Sequence, residues 1–217
     1  MAEREVLVVG LGRFGSALAK ELVDLGHEVL GVDGSAKIVQ QNSDVLTHVV
    51  QADTTDPEVL RQLGAGDFPV AVVGIGTDLE ASILTTAALA DAGVKTIWAK
   101  AITNAHARIL ERVGADHVVF PEGDMGRRVA HLVTGRMLDW FQLDEHFAMV
   151  ETEAPAELVG RTLADVGVRN AFQVTVVAVK PRGGAFTYAT ADTVLEPGDL
   201  VVVAGETKAV ERFAERT

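Results

Sequence analysis

The feature that most constrains the fold lies at the start of the chain, Val6-Leu-Val-Val-Gly10-Leu-Gly12-Arg13-Phe14-Gly15. An apolar run of strand length passes directly into Gly-x-Gly-x-x-Gly and then into a helix-forming stretch, Ser16 to Leu25, closed by Gly26. In that order the glycines read as a dinucleotide-binding fingerprint. Gly10 permits the tight turn, Gly12 lets a diphosphate approach the backbone, and Gly15 lets the helix pack closely on its strand. The helix then offers unpaired N–H groups to the phosphates. A second apolar run, Val29-Leu-Gly-Val-Asp33, ends in a carboxylate about 20 positions past the glycines, where a ribose acceptor is expected and a 2′-phosphate is repelled. The expected ligand is an adenine nucleotide, and NADP is disfavoured.

At 217 residues and 48% hydrophobic content, the chain has material for one ordinary domain and a small one. A net charge of −12 argues against a nucleic-acid partner, since such a surface repels phosphates. Cysteine is absent, which removes disulfides, thiolate nucleophiles and thiolate metal sites and fits a reducing compartment. No signal-peptide layout is expected before Val6, and no run of about 18 apolar residues suggests a transmembrane span.

β-rich runs alternate with helical patterns through residue 138, which predicts a doubly wound parallel α/β sheet of Rossmann type. Strands are expected near Val6–Gly10, Glu28–Asp33, Thr47–Gln51, Val70–Gly74, Thr96–Ala99 and His117–Phe120. Helix starts are signalled by Asp56-Pro57, Asp78, Asn104 and Asp124, and stops by Gly26, Gly64, Gly93 and Gly114. Val23, Leu25, Leu63, Leu84, Leu89 and Leu110 are expected to face the sheet. From Gly123 to Trp140 the pattern is again helical, with an apolar surface broader than one-sided packing needs. That helix either bridges two domains of one subunit or is exchanged with a neighbour.

After Leu143, strands at Phe147–Glu153, Val174–Lys180, Ala185–Thr187 and Leu200–Ala204, a turn at Arg182-Gly183-Gly184, and helices at Thr162–Val166 and Thr207–Arg216 predict a small α+β domain. The expected division is therefore a nucleotide-binding domain with its crossover helix over residues 1–138 and a second domain over 144–217.

Several residues carry charge toward the predicted cleft. Arg13 occupies a variable position of the fingerprint, and its planar fork suits a terminal phosphate. Asp53 follows the third strand, with a turn or cap role as its alternative. Thr77 and Asp78 follow the fourth strand, where Asp78 equally caps the next helix. Lys100 at a strand end offers a further positive group.

Beyond the glycine loop, the chain carries Ala52-Asp53-Thr54-Thr55, Gly74-Ile75-Gly76-Thr77-Asp78 with Ser82, and Ala99-Lys100-Ala101. These are followed by His117-Val-Val-Phe-Pro121-Glu122-Gly-Asp124-Met125-Gly126 and Val194-Leu-Glu-Pro-Gly-Asp199-Leu. In this combination and order the chain resembles, over essentially its whole length, the cytosolic KtrA/TrkA-type regulators of bacterial potassium uptake, built from an N-terminal and a C-terminal RCK domain. The resemblance implies a homo-oligomer based on dimers, commonly an octameric ring, at the inner face of the cell membrane beneath a KtrB/TrkH-like potassium-translocating subunit. It implies ATP and ADP, or NADH and NAD, as ligands whose exchange reshapes the ring. It places Arg13 against a nucleotide held in the dimer, Asp53 at the base end, and Glu122 beside the paired nucleotides, where Mg²⁺ or another cation offsets the charge. It also implies a cyclic di-AMP site in the C-terminal domain at Arg169 and Phe172, with Thr175 standing where such relatives carry asparagine.

An NAD-dependent oxidoreductase shares the fingerprint, but a catalytic half is hard to find. His27, His48, His106, His117, His131 and His146 are scattered, and no Walker lysine motif, H-E-x-x-H pair or G-x-S-x-G elbow occurs. A nucleotide-sensing repressor is a third class, but no helix-turn-helix or basic arm is expected before Val6, and the net charge of −12 opposes it. Regulation of a potassium channel or efflux system is not separated from uptake by these residues.

Overall fold

The computed structural model describes residues 5–133 and 136–217. It contains two compact units, the first ending at Glu122 and the second running over Gly123–Thr217. The segment 123–138, expected with the first domain, therefore groups with the second.

In the first unit, six parallel strands follow the order β3-β2-β1-β4-β5-β6. They are β1 Glu5–Val9, β2 Glu28–Asp33, β3 His48–Gln51, β4 Val70–Val73, β5 Thr96–Lys100 and β6 His117–Val119. The helices are α1 Arg13–Asp24, α2 Ala36–Asn42, α3 Pro57–Gln62, α4 Leu79–Asp91 and α5 Asn104–Arg112. Strands in such a sheet are covered on both sides, which explains their near-continuous apolar runs. Leu7, Val9, Val73 and Ile97 enter one core, and Val6, Val8, Val29 and Val72 enter another. The chain reverses its winding between β1 and β4, so a crevice opens above their carboxyl ends.

Local signals hold at several helix ends. Asp56 accepts the Glu58 N–H with Pro57 in the first turn of α3, and Asp78 accepts the Ala81 N–H to cap α4. The four expected stop glycines each lie one residue past a helix C-cap. Two starts differ. α5 is capped by Thr103, whose hydroxyl accepts the His106 N–H at 3.1 Å, and not by Asn104. Asp124 lies inside a helix that already begins at Pro121, where it pairs with Arg127.

Leu89 and Leu110 are fully buried, and Val23 and Leu63 pack against the cores, but Leu25 is 67% exposed and Leu84 45% exposed. Leu25 is the C-cap of α1, beyond its last sheet-facing turn. α4 buries Ser82, Thr85, Thr86, Ala88 and Leu89, a face of mostly small side chains that turns Leu84 outward. Two of the hydroxyls are satisfied inside: Thr86 donates to the Ser82 carbonyl at 2.7 Å, and Thr85 bonds Thr54 at 2.9 Å.

The second unit holds an antiparallel sheet of order β10-β9-β11-β8-β7. Its strands are β7 Asp139–Gln142, β8 Phe147–Glu153, β9 Val174–Lys180, β10 Thr187–Tyr188 and β11 Leu200–Glu206. Helix α6 spans Pro121–Leu132, α7 Leu163–Val166, α8 Val168–Phe172 and α9 Thr207–Ala214. The continuous helix expected over Gly123–Trp140 is thus a helix followed by a strand. Met137 and Trp140 are buried while Leu138 and Phe141 are exposed, and β7 pairs with β8 through Trp140 opposite Val150. Apolar residues on both sides of the alternation mimic a helical stripe. Arg128 of α6 grips Asp139 through two hydrogen bonds of 2.7–2.8 Å, and His131 stacks on Trp140 at 3.8 Å.

The tightest approach in the first unit is at Gly15, where an added Cβ would stand 1.9 Å from the Gly10 carbonyl oxygen. Gly15→Ala is expected to destabilise the protein by about 2–4 kcal/mol. A denaturation midpoint within error of wild type would show that the corner yields. His106 is 3% exposed, and neither ring nitrogen has a hydrogen-bond partner among the described residues. Burial pushes its pKa below the usual imidazole value. The unfolded chain therefore binds this proton more readily than the folded one, and the stability held above about pH 6.5 declines as pH falls below it. His106→Leu is expected to flatten the melting temperature between pH 7 and pH 5 by comparison with wild type. Parallel curves for the two proteins would remove this group as a source of acid sensitivity.

Candidate functional site

Above the carboxyl ends of the parallel strands lies a cleft of about 930 Å³. The glycine loop forms its centre. Gly10 takes φ +84 and leaves no room for a side chain, since a Cβ would lie 2.8 Å from the Ile75 side chain and 2.9 Å from its backbone nitrogen. At Gly12 the opposite holds: a methyl group placed there would have no protein atom within 4 Å, so the backbone is open to the cleft. Gly12 also begins α1 with no side-chain cap, leaving the start of a 12-residue helix turned to the same space.

Asp33, at the end of β2, holds this loop in place. Its Oδ2 accepts the Leu11 N–H at 2.8 Å and its Oδ1 accepts the Ser35 N–H at 2.8 Å. Each carboxylate oxygen keeps lone-pair capacity for a further donor, such as a sugar hydroxyl. The loop is tied to its neighbouring strands as well, Gly10 N–H donating to the Val32 carbonyl at 2.8 Å and Gly74 N–H to that of Val9 at 2.7 Å.

At one end of the cleft Asp53 folds back on Thr55, whose hydroxyl and backbone N–H both donate to Oδ1 at 2.7 and 3.0 Å. Those bonds, the hydroxyl first, hold its carboxyl below the ordinary carboxylate pKa. Thr54 lines the cleft, but its hydroxyl is buried against Thr85. At the other end Lys100 is buried and donates to Glu122 Oε1 at 3.1 Å. The Lys100 hydrogen bond is the main cause of a lowered Glu122 pKa, followed by a backbone hydrogen bond at Glu122 itself, with a smaller contribution from the charge on Arg13.

The residues singled out for this site come together. Gly10, Gly12, Arg13, Phe14, Asp33, Asp53, Thr54, Gly76, Thr77, Asp78, Lys100 and Glu122 all line the cleft. Gly15 does not; it is buried at the strand–helix corner, so its part is structural. Sequence reasoning misses Ile38, Gln51, Ala52 and Thr55, which enclose the Asp53 end. Gln51 Nε2 donates to the Gly34 carbonyl at 3.1 Å and so braces the turn after Asp33. Ala52 and Thr55 stand in the Ala52-Asp53-Thr54-Thr55 motif without having been singled out from it, and for Gln51 closeness to Asp53 at a strand terminus is the one local signal. No histidine of the described residues lines the cleft, and among those residues no cluster of three or more His, Asp or Glu is placed to hold a metal.

In the second unit Arg169 and Thr175 share a hollow of about 370 Å³, with Arg169 Nε donating to Thr175 Oγ1 at 3.2 Å. Phe172 does not join them. Its ring meets Phe213 edge-on at 5.7 Å and is covered by the Arg216 guanidinium at 5.1 Å.

Comparison with known proteins agrees with this architecture. Residues 6–121 match the TrkA-N domain and residues 147–217 the TrkA-C domain. The chain is 37% identical to Ktr system potassium uptake protein C of Bacillus subtilis over 215 residues, covering 99% of this chain and 97% of that one. It is also 37% identical to Ktr system potassium uptake protein A of Vibrio alginolyticus, covering 94% and 93%. In fold it is similar to the GsuK RCK domain, with a TM-score of 0.66 at 19% identity over 98% of this chain and 48% of that one. A structure of the GsuK channel bound to NAD gives a TM-score of 0.65 at 18% identity, covering 98% and 40%. With both domains matched in order over nearly the full length, the chain belongs to the TrkA-N/TrkA-C family of potassium-uptake proteins, as a regulator of KtrA type.

Proposed function

We propose that this chain is a nucleotide-sensing gating subunit: it binds ATP and ADP, or NAD(H), in the Gly10–Glu122 cleft and passes the occupancy on to a membrane potassium-translocating subunit of KtrB/TrkH type. The observation that carries the reading is the meeting of an open Gly12 backbone, an uncapped helix start, the Asp33 carboxylate and two cations, Arg13 and Lys100, in one cleft. Together they match the diphosphate, ribose and distal charge of an adenine nucleotide. Bound NAD in the GsuK channel and bound AMP in a Kef domain of Shewanella denitrificans, similar in fold at 22% identity and a TM-score of 0.53, support the same use of the fold.

The protein acts by binding and transforms nothing. A ligand shifts a two-state assembly by its difference in affinity for the two states, and a coupling of about 1–3 kcal/mol per site suffices. The assembly is a homo-oligomer based on dimers, an octameric ring at the cytoplasmic face of the membrane. Among the described residues no helix is long and apolar enough to cross a membrane. Glu122 is the carboxylate that a nucleotide-linked Mg²⁺ would use, since Mg²⁺ in such sites takes one or two carboxylates together with phosphate oxygens. Cyclic di-AMP, where it binds, would meet Arg169 and Thr175 in the smaller hollow, without Phe172.

Calorimetry of the purified protein is expected to show binding of ATP and ADP. No binding of these or of NADH would overturn the proposal, and substrate-dependent turnover of NADH would replace it with an oxidoreductase. Gly12→Ala is expected to leave the melting temperature unchanged, because its methyl meets no protein atom, while lowering nucleotide affinity tenfold or more, on the order of 1.4 kcal/mol. Unchanged affinity would place the phosphates elsewhere. Arg13→Ala is expected to weaken ATP more than ADP, and ADP more than AMP; an equal loss for all three would contradict its role at the terminal phosphate.

A further inference from the structure

β7 is the last strand of its sheet, and part of its backbone points away from β8, its neighbour. The Leu143 N–H donates to the Phe147 carbonyl at 2.9 Å, and the register runs back through Phe141 opposite Met149 to Asp139 opposite Glu151. Alternation along an antiparallel pair then turns the N–H and C=O groups of Trp140 and Gln142 to the open edge. Such an edge is a template for another strand. Leu138, Phe141 and Leu143 beside it are 53%, 51% and 61% exposed, so apolar side chains accompany the free backbone groups.

One pair of side chains closes this edge. The Trp140 N–H donates to Asp139 Oδ1 at 2.7 Å, so a carboxylate already occupies the donor that an incoming strand would use. Arg128 of α6 holds that carboxylate by both oxygens, Nε to Oδ1 at 2.8 Å and Nη2 to Oδ2 at 2.7 Å. Two parallel charge-assisted bonds fix its direction as well as its position. The same guanidinium lies over the Phe141 ring, 4.7 Å from its centre. A charged group held at a strand edge is a device against further pairing. Here the device depends on a residue from another element, and it is lost when that residue lets go.

We propose that the Arg128–Asp139 clasp guards β7 against strand addition by a second copy of this chain, whose own β7 is the segment that fits. The fit follows from the open groups. Two antiparallel β7 strands related by a twofold axis at Phe141 set Trp140 of each opposite Gln142 of the other, and each such pair exchanges both of its hydrogen bonds. That register places the two Phe141 side chains opposite each other on one face of the joined sheet, as an aromatic cross-strand pair. The pairing needs the Trp140 N–H and the Phe141 ring, the two groups that the clasp occupies. Release of Asp139 by Arg128 frees both together. No nucleotide takes part, so the guard stands apart from the gating function.

The chain has no cysteine, so one introduced thiol reports only its own surroundings. Across the twofold axis the two 141 positions form a non-hydrogen-bonded pair with Cα atoms about 4.5 Å apart, within reach of a disulfide. The test follows disulfide-linked dimer formation by the full chain carrying Phe141→Cys, alone and together with Asp139→Ala or Arg128→Gln, with oxidised glutathione as oxidant and non-reducing electrophoresis as readout. Either clasp variant is expected to speed the cross-link about tenfold, because loss of a charge-assisted pair opens the edge. Gln142→Cys in the same backgrounds is expected to stay slow, since it stands opposite Trp140 of the other copy. Arg128 has a side chain 37% exposed, so Arg128→Gln decides the matter where Asp139→Ala impairs folding. Equal rates with and without the clasp show an unguarded edge, and no cross-link in any background shows that β7 adds no strand. Either result overturns the proposal, as does a Gln142→Cys cross-link as fast as that of Phe141→Cys.

Discussion

The corner where β1 meets α1 sets the rest of the first unit, because two backbones approach there more closely than any side chain allows. With no Cβ at Gly15 the helix comes down onto the Gly10 carbonyl, and its uncapped start faces the ends of the strands. The bent loop left between them is held by Asp33, which commits both carboxylate oxygens to the N–H groups of Leu11 and Ser35. A charged acceptor on backbone donors makes a stronger bond than a neutral one. The aspartate expected to meet a ribose is therefore also what shapes the loop that would meet the phosphates, so sugar and phosphate subsites are mechanically one.

Charge in this protein is distributed against its average. A chain of net charge −12 places Arg13 and Lys100 on the same cleft as Asp33, Asp53, Asp78 and Glu122. Each of these carboxylates already accepts a hydrogen bond, from Leu11 and Ser35, from Thr55, from Ala81 and from Lys100 respectively. Their negative charge is partly engaged by the protein itself, which lets an acidic molecule present a site suited to an anion. Such a site is equipped to hold a ligand.

Legibility in the sequence follows the range of the interactions. Asp56-Pro57 and Asp78 are readable because a cap acts within three residues. Thr103 is hidden beside Asn104, since both residue types cap helices and only the backbone turn decides between neighbours. Met137–Phe141 misleads because an apolar residue on each face of a strand imitates a helical stripe; β7 exists because β8 pairs with it, from Gln142 opposite Ala148 back to Asp139 opposite Glu151. Leu84 reads as inward on hydrophobicity, yet α4 buries Ser82, Thr85 and Thr86, small enough to bring the helix close and able to bond inside.

The order of residues by itself determined the doubly wound sheet, the glycine corner, the acidic residue at the end of β2 and many of the groups gathered at the cleft. Each depends on a motif within one strand–turn–helix unit or on the rule that such units bring their strand ends together. Only the tertiary structure decided that Gly76 makes room for Lys100, that Lys100 is buried while Glu122 is exposed, that Gln51 braces Gly34, and that residues 139–142 join a sheet. Those facts turn on distances between groups far apart in the chain. Packing sets such distances, and no local pattern of residues encodes them.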